Sequence, residues 1–143
     1  MPVLFDSSIY VDAMRRGGDP ALLLTRWSGE EPVRLSSVVL HELYIGAGPR
    51  GLKIIEKLKD DFVGVGRILV PELNDWIRAG RILAGIGRKY GYERVGRVRL
   101  TNDALIAASA ARTGTKVITA NKRDFALLAE YCGLQWQERL DLE

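Results

Sequence analysis

The chain has 143 residues, 47% hydrophobic and 27% charged, which describes one folded domain with a sizeable core and excludes a disordered or fibrous chain. Its single cysteine and single histidine exclude an internal disulfide, a cysteine-rich zinc site and any metal site built on two imidazoles. The net charge of +3 is compatible with a polyanionic partner without requiring one; no apolar run approaches the roughly 20 residues that span a bilayer and no export signal opens the chain, so the cytoplasm is the expected location.

Val3-Leu4-Phe5 reads as a short strand ending at Asp6, with Ser7 and Ser8 suited to starting a helix that runs to Arg15 or Arg16 and stops at Gly17-Gly18. Asp19-Pro20 opens a second helix, expected to reach about Trp27. Val33-Arg34-Leu35 is a second strand, and Ser36 or Ser37 caps a helix to about Ala47. Leu52, Ile55, Leu58 and Phe62 recur at helical spacing among charged residues, the pattern of an amphipathic surface helix. A third strand spans residues 66–70 and a long helix Glu72 to about Tyr90, in which Gly80, Gly85 and Gly87 argue against regularity. Residues 91–100, rich in arginine, suit a loop. Thr101 or Asn102 then caps a helix through Arg112, closed by Gly114. Lys116 to Thr119 is a fourth strand, Lys122 to about Tyr131 a helix, and Leu134-Gln135-Trp136 a candidate last strand. The final few residues read as a tail. Short apolar strands separated by helices predict one α/β domain over the whole chain: three layers, with a short, mostly parallel central sheet flanked by helices.

In such sheets ligands sit beyond the carboxyl ends of the strands, so acids there carry the functional question. Asp6 follows the first strand directly, where a turn residue or helix cap is an equally good reading. Glu42 lies in Val38-Val39-Leu40-His41-Glu42-Leu43-Tyr44-Ile45, a helix apolar on nearly every side, where a carboxylate is costly unless paired or bound to a metal. His41, beside it, points about 100° away and suits a structural role. Asp103 opens an alanine-rich helix, and a favourable interaction with the helix dipole would explain it as well. Asp124, three residues after Asn121, fits a helix cap. Taken together, carboxylates crowded within about 4–6 Å repel unless a cation joins them, which points to an acidic metal site for phosphoester chemistry, holding Mg²⁺ or Mn²⁺ through oxygen ligands. Cys132, on an apolar stretch, reads as a structural thiol.

Four segments resemble the motifs of PIN-domain ribonucleases, most nearly the VapC-like toxins. They are Val3-Leu4-Phe5-Asp6-Ser7-Ser8-Ile9-Tyr10, the run from Leu35 through Glu42 to Gly46, Asn102-Asp103-Ala104-Leu105-Ile106-Ala107-Ala108-Ser109-Ala110, and Val117 through Asn121 and Asp124 to Phe125. Their order and spacing cover essentially the whole chain. The resemblance implies a Mg²⁺- or Mn²⁺-dependent endoribonuclease that cleaves RNA with metal-activated water, the toxin of a type II toxin–antitoxin pair. It further implies a VapB-like antitoxin partner and a homodimer. Carried over residue by residue, Asp6, Glu42 and Asp103 would hold the metal, with Asp124 as a fourth catalytic acid. Ser7, Ser8, Thr119 and Asn121 would assist, by holding a ligand water or a substrate phosphate. The chain departs from the family where many members carry aspartate and it carries Asn121, which adds no charge. Lys122, Arg123, Arg97 and Arg99 lie on adjacent segments and suit RNA phosphates. A haloacid-dehalogenase-type phosphatase is excluded because Ser8 stands where its second aspartate is required. An inactive PIN-fold binding module, or a PIN nuclease of RNA maturation without an antitoxin, stay open as alternatives.

Overall fold

The computed structural model describes residues 1–20 and 31–139, so the helix expected from Asp19 to Trp27 and the expected tail fall largely or wholly outside the described residues. The described elements run, in chain order, β1 (Val3–Phe5), α1 (Ser7–Arg15), β2 (Val33–Ser36), α2 (Ser37–Gly46), α3 (Pro49–Gly64), β3 (Ile68–Leu69), α4 (Leu73–Tyr90), α5 (Tyr92–Val95), α6 (Val98–Arg112), β4 (Lys116–Thr119), α7 (Lys122–Ala129) and β5 (Trp136–Glu138). The strands form one sheet in the order β3-β2-β1-β4-β5, and every described pairing is parallel. That is the expected α/β architecture. The apolar strand runs explain it: Val3, Leu4 and Phe5 are fully buried, as strands covered on both faces must be. Each such side chain contributes about 1.5–3 kcal/mol through its burial.

The order reverses at β1. The chain leaves β1 toward β2 on one side and comes back as β4 on the other, so the switch point lies at the carboxyl ends of β1 and β4. Open parallel sheets form their ligand crevices at such points. In register, Val3 faces Lys116 and Phe5 faces Ile118, and the Asp6 N–H continues the ladder by donating to the Ile118 carbonyl. Asp6 and Thr119 therefore emerge side by side.

α6 packs at the centre, with Ala104, Ala107, Ala108 and Ile106 all buried. Its small residues let it sit close to its neighbours, and Gly114, at φ +61°, turns the chain from α6 into β4. α4 is joined to α6 by a buried charge: both Asp75 carboxylate oxygens accept from Arg112 Nε, at 2.9 and 3.0 Å. Arg112 also reaches Glu72 at 3.6 Å.

Several sequence expectations need correcting. α6 begins at Val98, not at Thr101 or Asn102, and a short helix, α5, interrupts the stretch expected to be loop. The reason is a buried stripe, Leu100, Ala104, Ala107 and Ala108, which recurs at helical spacing and draws the arginine-rich segment into the helix. Asp103 consequently lies in the second turn and not the first, which removes the helix-dipole account of it. α2 is buried on one face only, through Val38, Val39 and Leu43, while His41 and Ile45 are exposed. β5 lies two residues later than expected. α4 is continuous despite its glycines. At Gly87 a Cβ would stand 2.4 Å from the Tyr92 ring, so the absence of a side chain is what lets α5 fold back there.

Candidate functional site

Asp6 follows β1 and is 1% exposed. Its position at the start of α1 lets one carboxylate oxygen accept the Ser7 N–H at 2.7 Å. The other accepts the Ser8 hydroxyl and the Thr119 hydroxyl, both at 2.9 Å. Those hydroxyls are themselves held: Ser8 Oγ accepts the Ala120 N–H and Thr119 Oγ1 accepts the Asn121 N–H at 2.8 Å. α1 and the β4–α7 turn thus fix the orientation of one carboxylate through two hydroxyl relays. Ser7 makes a looser contact, its hydroxyl 3.5 Å from Asp6.

α2 brings Glu42 toward the same point, and α6 brings Asp103. One carboxylate oxygen from each of Asp6, Glu42 and Asp103 lies within 4.8 Å of the others. None of the three is in an ion pair among the described residues. Burial raises the carboxyl pKa of Asp103 to about 8, with the negative charges of Asp6 and Glu42 adding to the rise and Arg99 opposing it. Burial likewise raises Glu42, helped by Asp6, while hydrogen bonding with Asn102 and Ser7 and the charge of Arg99 pull in the other direction. The Oε1 atom of Glu42 is buried with no hydrogen-bond partner. Buried polar atoms rarely stay unsatisfied, so an orphaned carboxylate oxygen inside an acid cluster has the chemistry of a cation ligand. The donor set is all oxygen and fits a hard divalent ion such as Mg²⁺ or Mn²⁺.

Asp124, expected as a fourth acid, stands outside this trio. It is linked to it by Asn121, whose amide donates to Asp103 at 3.2 Å and to Asp124 at 3.0 Å. Asn121 thus presents its amide nitrogen to both acids. The trio opens onto a cavity of about 660 Å³ whose wall includes Ser7, Ser8, Glu42 and Asn102. Three charged side chains on that wall were not singled out as site residues from the sequence: Asp12, Arg15 and Arg139. The first two were legible in α1, since Ser8, Val11, Asp12 and Arg15 recur at helical spacing on one face. Arg139 was not, because the last strand was placed two residues early. Cys132 is half-buried with its thiol donating to the Leu128 carbonyl, and burial raises its pKa, which suits an inert thiol.

The family model for the PIN domain matches residues 3–131. No curated protein is detectably similar in sequence. Among solved structures, the chain is similar to one from VapBC2 of Rickettsia felis bound to a promoter DNA fragment, at 21% identity and a TM-score of 0.69, covering 98% of this chain and 100% of that one. It is similar to one from DNA-bound VapBC of Salmonella typhimurium at 18% identity and a TM-score of 0.68, covering 96% and 98%. A third, from VapBC-5 of Mycobacterium tuberculosis, a member of a family of toxin–antitoxin systems, shares 26% identity at a TM-score of 0.56, covering 96% and 98%. With the family model spanning nearly its whole length and the fold shared from end to end, this chain belongs to the PIN domain family, whose members are nucleases.

Proposed function

We propose that the protein is a divalent-metal-dependent endoribonuclease and the toxin of a toxin–antitoxin pair. The observation that carries the metal-dependent part is the unpaired trio of Asp6, Glu42 and Asp103 with carboxylate oxygens within 4.8 Å. Asp6, Glu42 and Asp103 would hold the ion, and Ser8 and Thr119 would keep Asp6 turned toward it. When bound, a divalent ion lowers the pKa of water and stabilises charge on a phosphate and its leaving oxygen. The chain's own contribution is to bring three carboxylates together, with Asp103 holding a proton that a cation would have to displace, and to hold a phosphodiester in the adjoining cavity. Asp124, joined to Asp103 through Asn121, would act on the acid site at one remove, through that amide.

The partner reading rests on the likeness to chains from VapBC structures, of which VapBC-5 is a member of a family of toxin–antitoxin systems. A small VapB-like protein is therefore the expected partner, RNA the expected substrate, and a homodimer the expected assembly. The test is thermal unfolding against Mn²⁺ and Mg²⁺ for the wild type and Asp6→Asn, with RNA cleavage followed in parallel. Metal at 100 times its Kd should stabilise the wild type by about 2.7 kcal/mol and leave the variant nearly unmoved. Insensitivity of the wild type to both metals, together with intact RNA, would sink the nuclease reading and leave a binding module on this fold.

A further inference from the structure

Two cavities adjoin the acid trio. The larger, about 660 Å³, adjoins it through Ser7, Ser8 and Glu42 and has Arg15, Arg99 and Arg139 on its wall. The smaller, about 230 Å³, adjoins it through Asn121, which donates to Asp103. Half of the residues lining the smaller cavity are arginines: Arg97, Arg99 and Arg123. Arg99 borders both.

These cations differ in how they are held. Arg139 is mostly buried and ion-paired with Asp12 of α1, which makes it a fixed part of the wall. Arg15, Arg97, Arg99 and Arg123 are exposed, and no described residue gives their guanidinium groups an ion pair or hydrogen bond. Arg112, Lys57, Lys59 and Lys122 each sit near a carboxylate instead. Guanidinium groups without a carboxylate partner, on the walls of both cavities, leave their donors available for phosphate oxygens.

The cavities also differ in what they can take. The larger falls within the roughly 300–1,000 Å³ of ordinary ligand sites, and the smaller falls below it. Ile45 and Val98 border the larger cavity and are 72% and 75% exposed, an apolar edge beside the arginines. A flat, partly apolar group with an attached anion suits the first cavity, and an anion alone suits the second.

We propose that an RNA strand crosses the acid trio from one cavity to the other. An unpaired nucleoside lies in the larger cavity against Ile45 and Val98 with its phosphate on Arg15. A phosphate beyond the cut is held by Arg97 and Arg123. This deepens the nuclease reading and rests on it. It makes Arg15 and Arg123 positioning residues on opposite sides of the cut, and it requires a strand that continues in both directions.

The test is binding of a labelled single-stranded RNA octamer to the Asp6→Asn protein in Mg²⁺, followed by fluorescence anisotropy across a salt series. Adding Arg15→Gln or Arg123→Gln should each weaken binding about 5-fold whatever the RNA sequence, and flatten the slope of log K against log[salt] by about 0.7. Ile45→Ser should weaken binding about 3-fold with the slope unchanged, because it removes apolar contact and no charge. Arg67→Gln, which lies just before β3 at the other end of the sheet, should change neither. An unchanged slope in either Arg15→Gln or Arg123→Gln overturns the two-sided path, and so would a groove that serves an acidic peptide. If wild type still cleaves RNA in that case, the nuclease reading stands alone. If RNA is neither bound nor cut, it is the nuclease reading that fails.

Discussion

At Asp103 the site's chemistry and the fold's stability pull against each other. Its carboxyl is 1% exposed and its pKa is raised to about 8, so without a cation the folded protein holds a proton there that the unfolded chain has already lost. A raised folded-state pKa means that the native state binds more protons between the unfolded value, near 4, and about 8. Stability therefore falls as pH rises through that window. Glu42 is shifted in the same direction and adds to the trend. Metal-free protein should lose stability steadily from pH 5 to pH 8 in chemical denaturation, and Asp103→Asn, neutral throughout, should flatten the curve. Metal binding should strengthen over the same range, since the ion must displace the proton. A metal-free stability that rises with pH would refute this account of the cluster.

At the scale of elements, the joint between α4 and α6 sets how firmly Asp103 is presented. Asp75 is 2% exposed and its carboxylate is satisfied by Arg112 Nε and by the Glu72 N–H at 2.8 Å. Arg112→Ala would leave that carboxylate buried without its counter-ion, at a cost of about 3 kcal/mol. Denaturant titration should show the loss as a lower midpoint with an unchanged slope. Much of the element order was legible before the structure: apolar runs marked the strands, and the Leu52–Phe62 spacing marked α3. The start of α6 was hidden because Arg97 and Arg99 dominate a stretch whose buried residue, Leu100, makes sense only together with Ala104, Ala107 and Ala108. The acids themselves were readable from their places after strands. What the sequence could not supply was the finer arrangement: that Asn121 bridges Asp124 to Asp103, or that Arg139 lines the cavity from the end of β5.

Across the whole molecule, α4 carries an apolar face on the described surface that the core does not explain. Leu73, Trp76 and Ile77 lie at helical spacing on α4 and are 74%, 59% and 42% exposed, while Ile82 and Ile86 further along are buried. A homodimer built on this face predicts that Trp76→Glu converts dimer to monomer by light scattering without lowering the unfolding midpoint of the subunit. A wild type that is monomeric at every concentration would remove the homodimer from the reading. No described helix is long and apolar enough to cross a membrane. The sheet's central pairing joins Val3 to Lys116, and the Asp6 N–H bonds to Ile118. Asp6 and Glu42 are made early, Asp103 comes well into the second half of the sequence, and Thr119, which orients Asp6, comes later still. A half-translated polypeptide thus carries two of the three acids and none of β4, the strand whose Thr119 orients the first. In this PIN domain the acid trio can close only once α6 and β4 have both been made.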